Sequence, residues 1–499
     1  MATIASLPPE LLSEILCYLD SPPPSETRLH EQPNPDLLTS PEKSLKNASL
    51  VCRKWHATAL RILFRHVVWP VDRWELLRVD PSQNPHRDPV DGLPLLSFLR
   101  DQDLARCVDS LTMVVRDSLQ GMVTGGSRAS PGGNGGGEAS DSTSPSLLVQ
   151  HRPGSPMATT YNQDCNWVWD MLFQLTNPRK FTIMASPQIL ATLLSTRIYI
   201  QDAWSFSRTT HHVLSLSRET RTKDDTKAKE PESSPAHTDT TAAPEVPNEV
   251  LAEMMGGVSS EVLQRPPTKL FTIRPWTHLL LNEGSSTRVY KTYEFYHRRP
   301  PSILGALLGA DWKNAPLVPD TLRSLAYVAV FPLSSHFGTL VDHLPRIDRL
   351  FVQIVPQDNT LRNPDEMRHV QPSDLWMERN SCYSLVMRQI MSGEMSGHDS
   401  DSDTDMSEPD TARESNWRYL KEFESGDAAD KEAWDMAVQF VCMSGTDWHV
   451  EREGVFVKRP PAARPEHGTS SSPGSYQDEA APSPVSVLSD YMIGLDPWE

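Results

Sequence analysis

Apolar residues recur at helical spacing in three short segments near the N-terminus. The first segment carries five aliphatic side chains, at Leu11, Leu12, Ile15, Leu16 and Leu19. Pro8 and Pro9 precede them, at a helix start where a missing N–H costs nothing. A second helix is expected after Ser40 as N-cap, and a third over 55–64. Three helices within 5–67, interrupted by a polar, Pro-rich insertion at about 21–40, make a marginal core that a partner often completes.

The rest of the chain alternates short apolar runs with helical patterns. The runs that favour strands lie at 110–115, 180–185, 212–216, 269–274, 324–331 and 349–355. Helical patterns occupy 166–175, 187–194, 335–344, 375–390 and 417–440, the last broken at Gly426-Asp427, and a strand or hairpin is expected at 448–457. Such alternation is typical of parallel βα units. Some spacings fall near those of leucine-rich repeats, so we predict an irregular repeat solenoid, with an ordinary α/β domain as the alternative.

Four stretches lack the apolar residues needed to offset chain entropy, and we expect them to be disordered. They are residues 118–160, 219–266, 393–414 and 459–499. The folded remainder is then divided into the N-terminal module at 5–67 and α/β segments at 68–117, 161–218, 267–392 and 415–458.

Composition agrees with a chain that is folded only in part. Proline contributes 43 of 499 residues, about 9%, against ~5% in an average chain. The net charge of −18 argues against nucleic-acid or anionic-membrane partners, which require a basic face. No apolar run approaches the ~20 residues of a membrane span, and the first residues lack the basic region of a secretory leader. Six separated cysteines without a C-x-x-C pair favour an intracellular protein of the cytoplasm or nucleus.

No motif for catalysis, cofactor or metal binding is present, so we expect no catalytic residue, no cofactor and no metal site. The glycine-rich stretch at 125–137 lacks the lysine of a phosphate-binding loop. The aspartates of 399–410 resemble the start of a calcium loop, but Thr404 stands where glycine is required. His211-His212 is interpreted as a strand-edge pair. An unrecognised hydrolase or transferase is the remaining alternative.

The N-terminal segment resembles an F-box. The pattern is Leu7-Pro8-x-Glu10-Leu11-Leu12-x-x-Ile15-x-x-x-Leu19, followed by Leu45-x-x-x-Ser49-Leu50-Val51-Cys52-Arg53-x-Trp55. The chain departs from the family in the insertion between its first two helices, which loop-closure entropy tolerates. The resemblance implies a three-helix F-box at the N-terminus. Together with the patterns above, the predicted fold is of mixed α/β class: this F-box is followed by an irregular leucine-rich-repeat-like α/β domain with long disordered insertions.

F-box modules are similar in binding a Skp-type adaptor, which connects them to a cullin–RING ubiquitin ligase. Carried over by position, the adaptor-binding candidates are Leu7, Pro8, Leu11, Leu12, Ile15, Leu19, Val51, Cys52 and Trp55. Some of these must instead form the core of the module, and Ile15, Leu50 and Leu63 are the first expected to do so. The resemblance implies a non-catalytic substrate receptor of an SCF-type ligase; the alternative is an F-box scaffold that acts outside any ligase.

The remaining segments resemble those of filamentous-fungal F-box proteins, as in Arg274 to Gly284 and 350–356, which suggests a C-terminal substrate-recruiting domain. An unknown protein substrate is therefore the second expected partner. Aromatic and basic residues anchor recognition surfaces, and five candidates for substrate binding are Trp276, Tyr293, His297, Arg298 and Arg299. The alternative is that the aromatics fill the core. Ser400 and Ser402, each three residues before an aspartate, are candidate phosphorylation sites, with an inert acidic spacer as the alternative.

Overall fold

A computed structural model describes the parts of the chain that carry most of the predicted elements. The described residues are 7–34, 43–79, 81, 86, 88–116, 165–196, 198, 210–219, 267–291, 300–310, 315–356, 359–392, 415–444 and 446–459.

Three helices form the N-terminal module, as the sequence predicts. They are α1 (Pro9–Cys17), α3 (Lys43–Ser49) and α4 (Arg53–Leu63), with a short helix α2 (Pro24–Thr27) between the first two. α1 begins with proline at its first position, and its Leu12 and Leu16 are buried. The small core of the module consists of Leu12, Leu16, Leu45, Ala48, Ala59 and Ile62. Its few apolar groups agree with the expectation of a marginal core.

A single ten-stranded sheet organises the rest of the described chain. Its strands are β1 (His66–Asp72), β2 (Ser110–Arg116), β3 (Lys180–Ala185), β4 (His212–Ser217), β5 (His278–Ser285), β6 (Ser324–Val330), β7 (Arg349–Gln353), β8 (Glu422–Ser425), β9 (Trp448–Arg452) and β10 (Val455–Lys458). They lie in the order β1-β2-β3-β4-β5-β6-β7-β8-β10-β9. We refer to the part from β1 to β10 as the sheet domain.

Most neighbouring strands in the sheet are parallel. The pairs β1–β2 and β2–β3 are parallel, as are those that join β5 to β8 in turn. β4 is antiparallel to both of its neighbours, and β10 is antiparallel to β8 and β9. The mixed α/β class is confirmed. Strand order that follows the chain is also what a repeat solenoid has, but β4 interrupts the parallel run, so the likeness to leucine-rich repeats stays a prediction.

One face of the sheet packs against helices and carries the main core. The helices of the sheet domain are α5 (Arg73–Arg78), α6 (Pro94–Asp101), α7 (Asn166–Leu175), α8 (Pro187–Leu193), α9 (Leu304–Leu308), α10 (Ser334–Asp342), α11 (Pro364–Met367), α12 (Pro372–Ser392) and α13 (Lys431–Met443). Alternate strand residues point to this side; in β2 they are Leu111, Met113 and Val115, all buried in the main core. The opposite face carries the other alternate residues.

Two predictions of local structure were wrong, and one strand was missed. Residues 269–274 were expected to be a strand, but Lys269–Phe271 form a 3₁₀ turn, and the strand is β5, which starts at His278. Residues 417–425 were expected to be helical, but they form the 3₁₀ turn Asn416–Tyr419 and then β8. β1 was not predicted. In each case the apolar run was too short for its period to separate helix from strand.

The interpretation of residues 21–40 as a solvated insertion was wrong for its described part. Residues 21–34, which we call the strap, contain α2 and cross the face of the sheet opposite the main core. Leu29 is buried there among Val114, Met184 and Val213. Residues 35–40 lie outside the described part. The strap therefore joins the N-terminal module to the sheet domain.

Candidate functional site

The N-terminal module carries most of the large apolar side chains that are exposed to solvent. Among the described residues there are ten such side chains, and six of them lie in this module. These six are Leu11, Ile15, Tyr18, Leu19, Leu50 and Val51. Exposed apolar residues scattered singly are normal, but a concentration on one small module indicates an interaction surface.

Helix α1 divides its aliphatic residues between two neighbouring faces, one buried and one exposed. Leu12 and Leu16 point into the core of the module, and the side chains of Leu11 and Ile15 are each 47% exposed. Leu19, one turn after Ile15, is also exposed. Leu12 is therefore a core residue, which corrects its place among the adaptor-binding candidates. Ile15 was expected to be structural, and its exposure shows the opposite.

The turn between α3 and α4 exposes the second group of apolar residues. Leu50 is 79% exposed, which contradicts the expectation that it is structural, and Val51 is 63% exposed. Cys52 at the N-cap of α4 is exposed too, whereas Trp55 is partly buried and packs against the core of the module. Leu63 packs against the same core, as expected.

A hydrogen bond brings the two exposed groups together. The Lys54 ammonium at the start of α4 donates to the Leu7 carbonyl oxygen, just before α1. Pro8, the next residue, is exposed. The start of α1 therefore lies beside the turn that carries Leu50 and Val51. We call the exposed residues of these two elements, together with the partly buried Leu7, the docking face: Leu7, Pro8, Leu11, Ile15, Tyr18, Leu19, Leu50, Val51 and Cys52.

Sequence reasoning missed two residues of the docking face. Tyr18 is the most exposed of the large apolar residues that the structure describes, and Leu50 was assigned to the core. Tyr18 follows Leu11 by seven residues, which places both on the same side of an α-helix. That spacing was a usable signal. For Leu50 no periodic signal existed, because it follows the last residue of α3.

The strap fixes the module against the sheet through hydrogen bonds and ring stacking. The buried Asn282 side chain in β5 donates to the Leu29 and Glu31 carbonyl oxygens, at 2.7 and 2.8 Å. The His30 ring stacks on Phe351 of β7, with 4.8 Å between ring centroids. Burial lowers the pKa of His30, and the nearby Lys180 lowers it further.

The residues just after α4 also connect the N-terminal module to the sheet domain. The Arg65 carbonyl oxygen accepts hydrogen bonds from the Asp109 and Ser110 N–H groups, at 2.8 and 3.0 Å, and within the module the Arg65 guanidinium pairs with Asp20 at 3.4 Å. At Gly284, whose φ is +70°, a Cβ atom would lie 3.0 Å from the Gln32 side chain, so the strap approaches the backbone of the sheet closely. The helices of the module and the sheet are therefore connected by specific contacts.

The five substrate-binding candidates are not brought together at a surface in the described structure. Trp276 is fully buried, and its indole N–H donates to the Leu270 carbonyl oxygen at 2.8 Å. It is a core residue, which corrects its place among the candidates and agrees with the alternative given for the aromatics. Tyr293, His297, Arg298 and Arg299 lie outside the described residues, as do Ser400 and Ser402.

Glu283 in β5 is the centre of a cluster of buried polar side chains. Its carboxylate accepts hydrogen bonds from the Tyr327 hydroxyl at 2.7 Å, from His336 Nε2 at 2.9 Å and from Ser302. Burial by itself raises the pKa of Glu283, but the charge and hydrogen bond of His336 bring that pKa down to about 2. The carboxylate is thus held ionised by surrounding donors.

His212 borders the same cluster at the start of β4. Its Nδ1 atom is buried and has no hydrogen-bond partner among the described residues. A cavity of about 20 Å³ adjoins His212 and Glu283, room for about one water molecule. Burial lowers the pKa of His212 to about 4. The enclosed volume holds no more than a water, so the cluster serves as a buried polar network rather than a substrate pocket.

Other chemistry is sparse in the described residues. All six cysteines are free. Across the described ranges, no group of three or more His, Cys, Asp or Glu side chains is placed to hold a metal ion. None of the helices in those ranges combines the length and apolar character of a membrane span.

One comparison with known proteins identifies part of the chain. Residues 4–68 match the family model described as F-box-like. No curated protein and no solved structure matches the chain. The matched residues include the three helices of the N-terminal module, the strap and the docking face. The resemblance to an F-box is therefore confirmed for this segment.

Proposed function

This chain is an F-box protein by its N-terminal domain, and from that premise we propose that it is a substrate receptor of an SCF-type ubiquitin ligase. The docking face binds a Skp-type adaptor, and the sheet domain recruits a protein target. The observation that carries the proposal is the concentration of six exposed apolar side chains on the F-box-like domain.

The docking face suits an apolar partner surface. Leu11, Ile15 and Leu19 offer one row along α1, and Leu50 and Val51 offer a second group beside it. Burial of one such side chain stabilises a complex by ~1.5–3 kcal/mol, so two or three anchors dominate the affinity. Leu12 and Trp55 act beneath this face by supporting the helices that present it.

The mechanism in this proposal is tethering. The receptor holds a target lysine close to a ubiquitin-charged enzyme that the adaptor and cullin supply, and the rate gain comes from effective concentration. No residue of this chain takes part in bond making. The strap contributes by limiting how far the target can turn relative to the adaptor, because Asn282 and Phe351 hold it on the sheet.

Affinity capture of the tagged full chain from proteasome-inhibited cells tests the proposal. We expect the wild-type chain to recover both adaptor and cullin. The double variant Leu11→Glu with Ile15→Glu should lose at least nine tenths of both, because it places two charges on the docking face. The control is Met443→Glu, which adds a charge at an even more exposed apolar residue outside the domain.

The outcomes separate the candidate functions. Recovery of adaptor without cullin would assign the chain to scaffold proteins that act outside the ligase. Equal recovery of the adaptor by wild type and the double variant, at matched expression, would reject the docking face. Loss of recovery with Met443→Glu would show that the effect is not specific to the F-box-like domain.

A further inference from the structure

Strand β9 is one edge of the ten-stranded sheet, and no strand of the described structure covers its outer side. It pairs with β10 on its inner side alone. Residues 448–450 of β9 pair regularly with residues 456–458, before the bulge that the extra residue Glu451 makes. A regular edge strand presents a row of unpaired N–H and C=O groups, which is a template for a further strand.

The main core is less completely covered at this edge than at the opposite edge. In β1 the core-facing residues Val67, Trp69 and Val71 are each at most 5% exposed. In β9 Trp448 is buried, but Val450 is only partly buried against the core. Helix α13, which packs over this end of the sheet, adds three partly buried apolar residues: Trp434, Ala437 and Val438. A further apolar strand beside β9 would continue the core over these side chains.

The sequence that follows β10 divides into two parts of different composition. Residues 460–484 contain six prolines and no Val, Ile, Leu, Met, Phe or Trp. Residues 485–495, which we call the apolar segment, contain seven apolar residues among eleven and no Lys or Arg. Five of its six alternate positions are apolar: Val485, Val487, Tyr491, Ile493 and Leu495. β-branched and aromatic residues at a period of two are typical of a strand with one buried face.

The apolar segment is tethered beside the free edge of β9. The Arg459 N–H, just after β10, donates to the Asp447 carbonyl oxygen at 2.8 Å, so the connection starts next to the first residue of β9. Residues 460–484 make a connection of 25 residues, and a coil of that length spans an r.m.s. distance of ~25–30 Å. The five residues of β9 extend over only ~17 Å. The apolar segment therefore reaches the whole of β9, at an effective concentration on the order of millimolar.

We propose that the apolar segment pairs with the outer edge of β9 as a further strand of the sheet. In this arrangement its alternate apolar side chains extend the main core beside Val450 and α13. Main-chain hydrogen bonds supply the affinity and alternate side chains supply the selectivity, as they do when a peptide adds a strand to a sheet edge. The pairing closes an edge that is otherwise open to other chains. This inference does not depend on the proposed function.

Two other occupants of this region give different results in experiments. A helix over the same residues is one, because Val485, Leu488, Met492 and Leu495 also recur at heptad spacing. Such a helix would cover the apolar residues of α13 without pairing with the β9 backbone. A second copy of the chain is the other, and its binding would depend on protein concentration.

Hydrogen exchange of the full chain, followed by mass spectrometry, tests the pairing. The double variant Val487→Pro with Tyr491→Pro removes two N–H groups from the apolar segment and disfavours its strand. We expect the outward-facing amides of residues 448–452 to exchange at least tenfold faster in this variant than in wild type, with β1 unchanged. The matched control, Thr469→Pro with Ser475→Pro, places the same substitutions in the connection and should change exchange in β9 less than twofold.

A synthetic peptide supplies the apolar segment in trans. The receptor is the chain ended at Pro484, which keeps every described residue, and the probe is a fluorescein-labelled peptide of residues 483–496. We expect saturable binding by fluorescence anisotropy, and the bound peptide should restore the slow exchange of β9. A peptide of the same composition in scrambled order should bind at least tenfold more weakly, as should the peptide with Val487→Pro and Tyr491→Pro.

Three results would overturn the proposal. The first is equal exchange of β9 in wild type and in the Val487→Pro, Tyr491→Pro variant. The second is peptide binding that leaves the exchange of β9 unchanged, which would indicate a helix on α13 or another site. The third is protection of β9 that rises with protein concentration even in the chain ended at Pro484, which would assign the edge to a second copy.

Discussion

The His212 imidazole shows how one buried residue links proton binding to stability. It is fully buried, and its pKa falls from about 6.5 to about 4, chiefly because burial disfavours the charged ring. The carboxylate of Glu283 opposes this effect, and the imidazoles of His336 and His211 reinforce it. As the pH falls, the unfolded chain takes up this proton before the folded chain does. The folded state therefore loses stability between pH 6.5 and pH 4.

The pH dependence of unfolding measures this loss. A shift of 2.5 pKa units corresponds to about 3 kcal/mol between pH 6.5 and pH 4, with full stability retained above pH 6.5. The free energy of unfolding is obtained from denaturant titrations at several pH values. In His212→Gln that part of the slope should disappear. A variant that keeps the wild-type slope would show that other groups cause the acid sensitivity.

At the level of single residues, the sequence predicted the residues of the docking face only in part. Leu11, Leu12, Ile15, Leu16 and Leu19 form one apolar set by periodicity, and no sequence rule separated the side facing the core from the side facing solvent. That separation depends on where α4 packs against α1, which is a tertiary property. The same reason explains Trp276, an aromatic residue whose sequence neighbourhood fits a recognition surface as well as a core.

The strap is the element whose role departs most from expectation. Its polar, Pro-rich composition is typical of a solvated loop, yet Leu29 is buried against the sheet. Its backbone carbonyl groups are satisfied by Asn282, which lies more than 250 residues away along the chain. A single apolar residue and a distant amide donor decide this packing, and neither produces a periodic pattern.

Replacement of Asn282 tests the contribution of the strap to stability. Asn282→Ala removes both donors and leaves two buried carbonyl groups without partners, at a cost of about 2–4 kcal/mol in the free energy of unfolding. The matched control Asn363→Ala, at an exposed helix cap, should cost about 1 kcal/mol. Chemical denaturation of the full chain measures both. A loss no larger for Asn282→Ala than for the control would mean that the strap is not held by this amide.

Most regular elements of the sheet domain could be predicted from local pattern. β3 and α7 were predicted to the residue, since long or strongly apolar runs with clear ends specify their own structure. The failures at 269–274 and 417–425 fall where the chain turns at Trp276 and Gly426. At these points core packing, rather than period, decides between turn and strand.

At the scale of the whole molecule, the F-box-like domain and the sheet domain belong to one connected structure. The docking face lies on the F-box-like domain. The strap begins after α1 and packs on the sheet through Leu29 and His30. The net charge of −18 does not describe the docking face, because its exposed side chains are mostly apolar.

The affinity between the purified full chain and a purified Skp-type adaptor measures whether the docking face binds the adaptor. Biolayer interferometry would compare wild type with the double variant Leu7→Ala and Pro8→Ala, which truncates the start of the docking face, and with the control Met443→Ala. We expect saturable binding by wild type and by the control, and affinity at least tenfold weaker for the double variant. Absence of wild-type binding, or equal affinity of all three chains, would contradict it.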